Sequence, residues 1–294
     1  MIEFEIVKDE NECKKLWNEF SPKQLIWDLW DFRFCFYNNN YEFNFIVGFD
    51  GKEKKGIMPL VFDKKEKSYT YFGDEFPEQN RILLKDKTNA RLFLEKCPKN
   101  TLIPYISFDE KKHYDFAEGA KRYFLNLDKH GNSFENYLKS FKKKHRKNLR
   151  YDIKNLEHLG YEIEHEKDMK NFGRIAELNR ICLGNDSDYN DRDFELSMMK
   201  LAEEATKMNI IDMTIIQINK NTEAAGLGFF YNNIYTVSAF GRNPKIDNLG
   251  KLLIIEHIKS AISHNCREID FMSTDAEWKE LWNFDSQQLY EYKK

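Results

Sequence analysis

The sequence predicts an α/β chain with mixed sheets, divided into two domains, and three observations carry that prediction. The chain has 294 residues, about twice an ordinary domain. Stretches with the two-residue period of a strand are interleaved throughout with stretches of helical period. A polar stretch, Asp128-Lys129-His130-Gly131-Asn132, separates a meander-rich first part from a second part with longer helices. The domains are expected at 1–127 and 128–294.

The first part opens with Met1-Ile2-Glu3-Phe4-Glu5-Ile6-Val7, which alternates apolar and acidic residues as a strand does. Asp9 with Glu12 three residues on marks a helix start. Ser21-Pro22-Lys23-Gln24 predicts another: a cap at Ser21, proline in the first turn and Gln24 reaching back. The helix it opens carries Leu25, Trp27, Leu29, Trp30 and Phe34, and Asn38-Asn39-Asn40 breaks it. Strands at 43–49 and 56–62 flank an Asp50-Gly51 turn, and a third lies at 68–72. A short helix is predicted at 86–97 and a strand at 122–126.

The second part begins with the clearest helix, predicted at 133–159. Phe134, Leu138, Phe141, Leu149, Ile153 and Leu156 line one face, His145 completes the stripe, and Gly160 sits at the C-terminal cap position. The rest of that helix is densely basic. A strand at 161–164 and helices at 168–183 and 191–208 follow, the last with Phe194, Met198, Leu201, Ala205 and Met208 on one side. Strands at 212–218, 225–231 and 235–240 turn at Asn221 and at Asn232-Asn233. After a loop at 241–248 comes a helix with Leu252, Ile255, Ile258 and Ile262, and then a strand at 268–272. Thr274 with Glu277 opens a short helix bearing Trp278, Leu281 and Trp282, and a strand at 287–292 ends the chain.

Several classes are excluded. The 46 basic and 49 acidic residues nearly cancel to −3, so no global charge for nucleic acid exists, although a local basic patch does. No apolar run has the length a membrane helix needs. The start lacks the basic and apolar regions of a secretion signal, and a cytoplasmic protein is expected. The five cysteines never form a CxxC pair, which argues against a disulfide framework and a structural zinc site. Asp186, Asp188 and Asp191 are spaced like the start of a calcium loop. The required glycine would fall at Asp191 and the closing glutamate at Ser197, so the segment reads as a polar loop ending in a helix cap. The histidines show no ligand spacing, and no metal is expected.

The order β-α-α-β-β-β-α-β-α-β in the second part resembles the GNAT N-acetyltransferases. Four stretches are more specific. Gly56-Ile57-Met58-Pro59-Leu60-Val61-Phe62 with Tyr71-Phe72-Gly73 resembles a stretch of the CelD-like acetyltransferases. Phe134 to Leu138, continued by Lys144-His145-Arg146-Lys147-Asn148-Leu149-Arg150, resembles their basic helix. Asn248-Leu249-Gly250-Lys251-Leu252-Leu253 resembles their loop-to-helix entry, and Ile269-Asp270-Phe271 with Trp278-Lys279 and Trp282 resembles their closing motif. These proteins are related to the Fem-type aminoacyl ligases. The resemblance implies two tandem GNAT-like domains, the N-terminal one degenerate and supplying one wall of an acceptor cleft. It implies an N-acyltransferase that moves an acetyl or other acyl group from acyl-CoA to an amine of a sugar, amino acid or nucleotide-linked intermediate of envelope or polysaccharide synthesis. Two alternatives stand beside it: a Fem-type peptidyl ligase using aminoacyl-tRNA, and a non-catalytic GNAT-fold binding protein. The oligomeric state is open.

The donor of such a site lies between splayed strands with its pyrophosphate at a helix N-terminus, where N–H groups and the helix dipole favour an anion. Here that position is Leu249-Gly250-Lys251, with Arg242 in the preceding loop. Without the resemblance, Gly250 is equally a loop glycine and Lys251 a solvated residue. The fuller Gln/Arg-x-x-Gly-x-Gly/Ala signature is missing. The amine must lose a proton, and Tyr235, Ser238 and Asp270 are candidates near the splay. Asp270 equally suits a cap on the following turn, and Tyr235 equally suits the core. On the basic helix Arg146 and Arg150 share a face that Lys142 or Lys143 extends, suited to a phosphorylated acceptor or a tRNA end, or simply to solvent. By resemblance Lys279 would reach the acceptor's phosphates.

Overall fold

Ser21 does not open a helix. In the computed structural model, which describes residues 2–73, 76–273 and 277–294, it closes one. After β1 (Glu3–Val7), α1 (Glu10–Phe20) is capped by Asp9, whose carboxylate accepts the Glu12 N–H at 3.0 Å, and Ser21 is its last cap. The expected helix from Ser21 to Phe34 is replaced by one 3₁₀ turn at Ile26–Asp28 and the short α2 (Trp30–Phe34). Asp28 is the cause. Its buried carboxylate accepts the Gln24 and Leu25 N–H groups at 2.8 and 2.9 Å, and Ser21 Oγ donates to its carbonyl. Side-chain bonds to backbone hold a turn where propensity alone would extend a helix.

The chain then forms β2 (Tyr41–Asp50), β3 (Glu53–Asp63), β4 (Ser68–Tyr71), β5 (Leu83–Leu84), α3 (Ala90–Lys96), β6 (Leu102–Ile106) and β7 (Ala117–Asn126). β2 and β3 pair across the expected Asp50-Gly51 turn, and the antiparallel sheet runs β1-β2-β3-β4, with β5 also on β3. β6 was not expected from the sequence. It pairs with Tyr290 and Tyr292 near the far end of the chain.

Contacts divide the chain into two compact units, Met1–Arg122 with Gln287–Lys294, and Tyr123–Ser286. The passage into the second unit falls within β7, a few residues before the expected boundary at 127/128, and the last residues belong to the first unit.

The first unit is built on aromatic packing, with Trp17, Phe45, Phe72 and Phe93 essentially inaccessible. Arg33 is 1% exposed among them. Its guanidinium donates to the Trp27 and Phe72 carbonyls and to Asn80 Oδ1, and lies over the Tyr71 ring at 4.8 Å. Burial pulls its pKa down to about 10, so the cation persists.

The second unit continues with α4 (Phe134–Lys139), α5 (Lys143–Glu157), β8 (Tyr161–Glu166), α6 (Phe172–Leu183), α7 (Arg192–Lys207), β9 (Ile211–Ile218), β10 (Asn221–Tyr231), β11 (Ile234–Arg242), α8 (Leu249–Ser263), β12 (Glu268–Asp270), α9 (Glu277–Glu280) and β13 (Asp285–Lys293). The predicted helix at 133–159 is two helices. Phe141 keeps the apolar spacing but turns inward against Tyr137 and Trp282, and this breaks the helix between Lys139 and Lys143. Asp191 caps α7 by accepting the Asp193 N–H at 2.7 Å, as the polar-loop reading expects. The Thr274 cap expected for α9 lies outside the described residues.

The sheet of this unit runs β7-β12-β11-β10-β9-β8, with residues 124–126 of β7 paired to β12. β11 and β12 are parallel while their other neighbours are antiparallel, so the sheet is mixed. α6 presses on one face at Gly241, where a Cβ would come 2.6 Å from the Ile175 carbonyl. α8 covers the other face, with His257 over Gly226.

Replacing Arg33 by Met should strand the Phe72 carbonyl and Asn80 in an apolar interior. The expected loss is roughly 3 kcal/mol, read as a lower denaturation midpoint of the first unit. An unchanged midpoint would contradict this account of the buried cation.

Candidate active site

The parallel pairing of β11 with β12 covers three residue pairs: Ile234 with Glu268, Tyr235 with Ile269, and Thr236 with Asp270. Beyond Asp270 the chain leaves β11 and stays with β7: the Phe271 N–H donates to the Tyr123 carbonyl at 2.9 Å, and the Tyr123 N–H to the Met272 carbonyl at 3.1 Å. β11 stays with β10 instead. The two strands therefore part in a V whose apex is at Thr236 and Asp270. β11 is also bulged at this point, because Val237 faces Gly228 and Ala239 faces Leu227, leaving Ser238 without a cross-strand partner. On the far limb Phe240 meets Trp278 edge-on at 6.3 Å.

β11 leads through the loop 243–248 to the N-terminus of α8. Asn248 precedes it with φ +66°, and its side chain does not cap the helix. Its Oδ1 accepts from Lys251 Nζ at 2.9 Å, and the same ammonium pairs with Asp152 of α5 at 2.5 Å. Lys251 is thus tied to α5. Arg242 ends β11 beside Gly250, where a Cβ would lie 3.3 Å from its Cδ and Nε. Its guanidinium has no hydrogen bond or ion pair among the described residues. An uncapped helix N-terminus beside an unpaired guanidinium is a place for an anion.

Tyr235 lies under α8, wholly buried. Its hydroxyl donates to Asp212 Oδ2 at 2.9 Å and meets His257 Nδ1 at 2.8 Å. A phenol has one proton, so His257 must donate through Nδ1, and its Nε2 carries none. Ser260 Oγ donates to the same Asp212 oxygen at 2.7 Å, and Lys167 reaches the other at 3.1 Å. Burial by itself would raise the Asp212 carboxyl. The hydrogen bonds from His165 and Ser260 and the Lys167 charge outweigh it and hold the group well below the usual carboxylate range. Burial, reinforced by that negative charge, lifts the Tyr235 phenol far above its ordinary value. Burial lowers His257 to about 4. Room for both rings comes from two glycines on one face of β10: a Cβ at Gly226 would overlap His257, and one at Gly228 would overlap Tyr235. The sequence reading found Tyr235 and missed Asp212, His257 and Ser260. The available signals were an aspartate in the apolar run Ile210-Ile211-Asp212-Met213 and the Gly226-Leu227-Gly228 spacing within a strand.

Asp270 pairs across from Thr236, so its side chain takes the opposite face of the sheet from Tyr235, and the structure does not bring these two candidates together. Asp270 is 3% exposed, and its Oδ1 accepts the Met272 N–H at 2.9 Å. Lys279 is buried too. Its ammonium donates to the Phe271 and Met272 carbonyls at 2.8 and 3.2 Å and lies over the Tyr123 ring. Arg150 pairs with Glu135 of α4 at 2.8 Å, and Arg146 reaches the Lys139 carbonyl at 3.5 Å. Both arginines lean back over the α4–α5 elbow.

The buried imidazole makes stability depend on pH. Its folded pKa lies below the unfolded value of about 6.5, so the unfolded chain takes up the proton first. The stability due to neutral His257 is complete above pH 6.5 and lost as pH falls toward 4, by about 3 kcal/mol. Urea unfolding at pH 7 and pH 4.5 should show that loss, and the His257→Gln variant should show a much smaller pH dependence over the same interval. Gly228→Ala should cost about 1–3 kcal/mol by forcing Tyr235 off its bed, measured by the same denaturation.

Residues 143–280 match the model of the acetyltransferase (GNAT) domain family. No curated protein matches the chain. Among solved structures, that of FemX superposes with a TM-score of 0.64 at 12% identity, over 98% of this chain and 96% of that one. A tandem GNAT protein from the clavulanic acid biosynthesis pathway gives 0.56 at 10% identity, over 99% and 97%. L-PGS from Bacillus licheniformis gives 0.55 at 12% identity, over 97% and 92%. At such identities the likeness is one of fold. The V between β11 and β12 and the helix that follows lie within residues 143–280, the segment that matches the GNAT acetyltransferase domain model.

Proposed function

We propose that the chain is an N-acyltransferase that transfers an acyl group, acetyl in the simplest case, from acyl-CoA to an amine. The acceptor class is a sugar, amino acid or nucleotide-linked intermediate of cell-envelope or polysaccharide synthesis, and the reaction is cytoplasmic. The observation that carries this reading is the V at Thr236 and Asp270, continued by an uncapped helix N-terminus with an unpaired Arg242 beside it. A thioester in the V would bring its pyrophosphate to Leu249, Gly250 and Arg242, with Lys251 contributing charge from one side. The amine nitrogen attacks the thioester carbonyl, the C–N bond forms, and the C–S bond breaks. The proton lost by the amine passes to Asp270 at the apex and ends on the departing thiolate. The Met272 N–H holds that carboxylate in one orientation. Lys279, clasped on the carbonyls that follow β12, shapes this wall of the site, and Arg146 and Arg150 would exchange their contacts on α4 for an acceptor phosphate.

Calorimetric titration with acetyl-CoA tests the reading. Saturable binding is expected, weakened at least tenfold by Gly250→Val, whose side chain displaces Arg242 and crowds the helix N-terminus. Asp270→Asn should keep donor affinity and lower kcat about a hundredfold. Absence of any binding by CoA or its thioesters would overturn the reading.

A second reading keeps the fold and makes the donor aminoacyl-tRNA. The density of charge on α5, with Lys143, Lys144, Arg146, Lys147, Arg150 and Lys154, supports it. Binding of charged tRNA that weakens steeply with salt, without binding of CoA, would favour it.

A further inference from the structure

Three asparagines mark the edge of the second unit opposite the opening between β11 and β12. Asn209 lies in the turn from α7 into β9, and Asn232 and Asn233 turn β10 into β11. All three take a left-handed φ, +54°, +47° and +60°, which asparagine tolerates better than most residues. β8 ends at the same edge with Lys167 just beyond it, and α8 ends there at His264. Together these residues border a cavity of about 440 Å³, also lined by Phe230, Ile211 and the buried Cys266.

Two groups of this cavity are held in place. The Lys167 ammonium bonds to Asp212 Oδ1 at 3.1 Å and lies over the Phe230 ring at 4.9 Å, yet its side chain stays 46% exposed. His264 stacks on the same ring with centroids 4.0 Å apart, and its Nδ1 donates to the Ser260 carbonyl at 2.9 Å. Asp212 is itself inaccessible and takes further bonds from Tyr235 and Ser260, so its charge is met from within. Among the described residues no carboxylate lines the cavity, and Lys167 gives it a cation. An ammonium has three N–H donors, and Asp212 takes one. A lysine anchored in this way has already lost much of its freedom, so an anion that meets its remaining protons orders little more.

We propose that this cavity is a second ligand site, for a small carboxylate carried on a single aromatic ring. The carboxylate accepts from Lys167 Nζ, and the ring packs against the Phe230 and His264 pair. The asparagine amides at the rim suit polar substituents on that ring. A purely apolar ligand would cover part of the ammonium without giving it a partner. A bare inorganic anion would leave Phe230 and Ile211 unused. The proposal is independent of the acyl-CoA reading. α8 has 15 residues, which places this site about 20 Å along the helix from Gly250.

Saturation-transfer NMR with benzoate as the probe tests the proposal. Transfer to the benzoate ring protons is expected, with a dissociation constant of about 1 mM. Benzamide, which keeps the ring and lacks the charge, should bind about fivefold more weakly. Lys167→Met should weaken benzoate about tenfold, and His264→Ala about threefold. Gly250→Val should bind benzoate as the wild type does, which separates this site from the proposed donor site. Lys167→Met also takes a partner from Asp212. Should that variant not fold, benzamide and His264→Ala decide, since His264 makes no bond to Asp212. No transfer in the wild type, equal binding of benzamide, unchanged affinity in either cavity variant, or loss of binding in Gly250→Val overturns the proposal.

Discussion

Three residue pairs between β11 and β12 are the constraint on which the second unit depends. Parallel strands normally stay hydrogen-bonded along their common length, because an abandoned N–H or C=O costs free energy unless it finds another partner. Here β12 finds one at once. Phe271 and Met272 bond to Tyr123, Asp270 caps Met272, and Lys279 covers two of the carbonyls. The departure of β12 is therefore satisfied on its own side. β11 is held on its other side by β10, and Asn179 of α6 donates to the Phe240 carbonyl on the limb beyond the apex. The opening is a stable feature because each strand has its bonds elsewhere.

The charges around the opening divide into bound and unbound. Lys251 and Lys279 look alike as first-turn and short-helix lysines, yet one is tied to Asp152 and the other to backbone carbonyls. Arg242, beside the α8 N-terminus, has no hydrogen bond or ion pair among the described residues. Behind α8, the Asp212, Tyr235, His257 and Ser260 cluster fastens the helix to β9 and β11 through directed bonds rather than apolar contact alone. Such a cluster specifies one seating of the helix, because any slip would leave a buried carboxylate unsatisfied. The glycines of β10 make the seating possible.

Local regularity was legible where it coincided with burial. α6 and α7 form close to the expected 168–183 and 191–208, because their apolar residues recur at helical spacing and Asp191 caps the second. The strands β9 to β11 lie near the expected 212–218, 225–231 and 235–240 because runs of apolar and β-branched residues are ended by asparagine turns. The helix expected at 133–159 breaks because Phe141 satisfies the spacing while its ring is drawn to Tyr137 and Trp282, a partner far along the chain. The helix expected from Ser21 fails because Asp28 bonds back to two N–H groups. β6 escaped notice because Pro104 interrupts it and its partners lie at 290–293.

By itself the sequence determined the order of elements in the second part, the glycine at the start of α8, and an aspartate and a serine within expected strands. These follow from periodicity and residue chemistry, which act over a few neighbours. Only the tertiary structure decided which cations are paired among the described residues, and that Tyr235 is sealed beneath a helix while Asp270 stands at the apex of the V. Each of those depends on residues tens of positions away brought within 3–4 Å, and no local pattern records which polar groups will meet there.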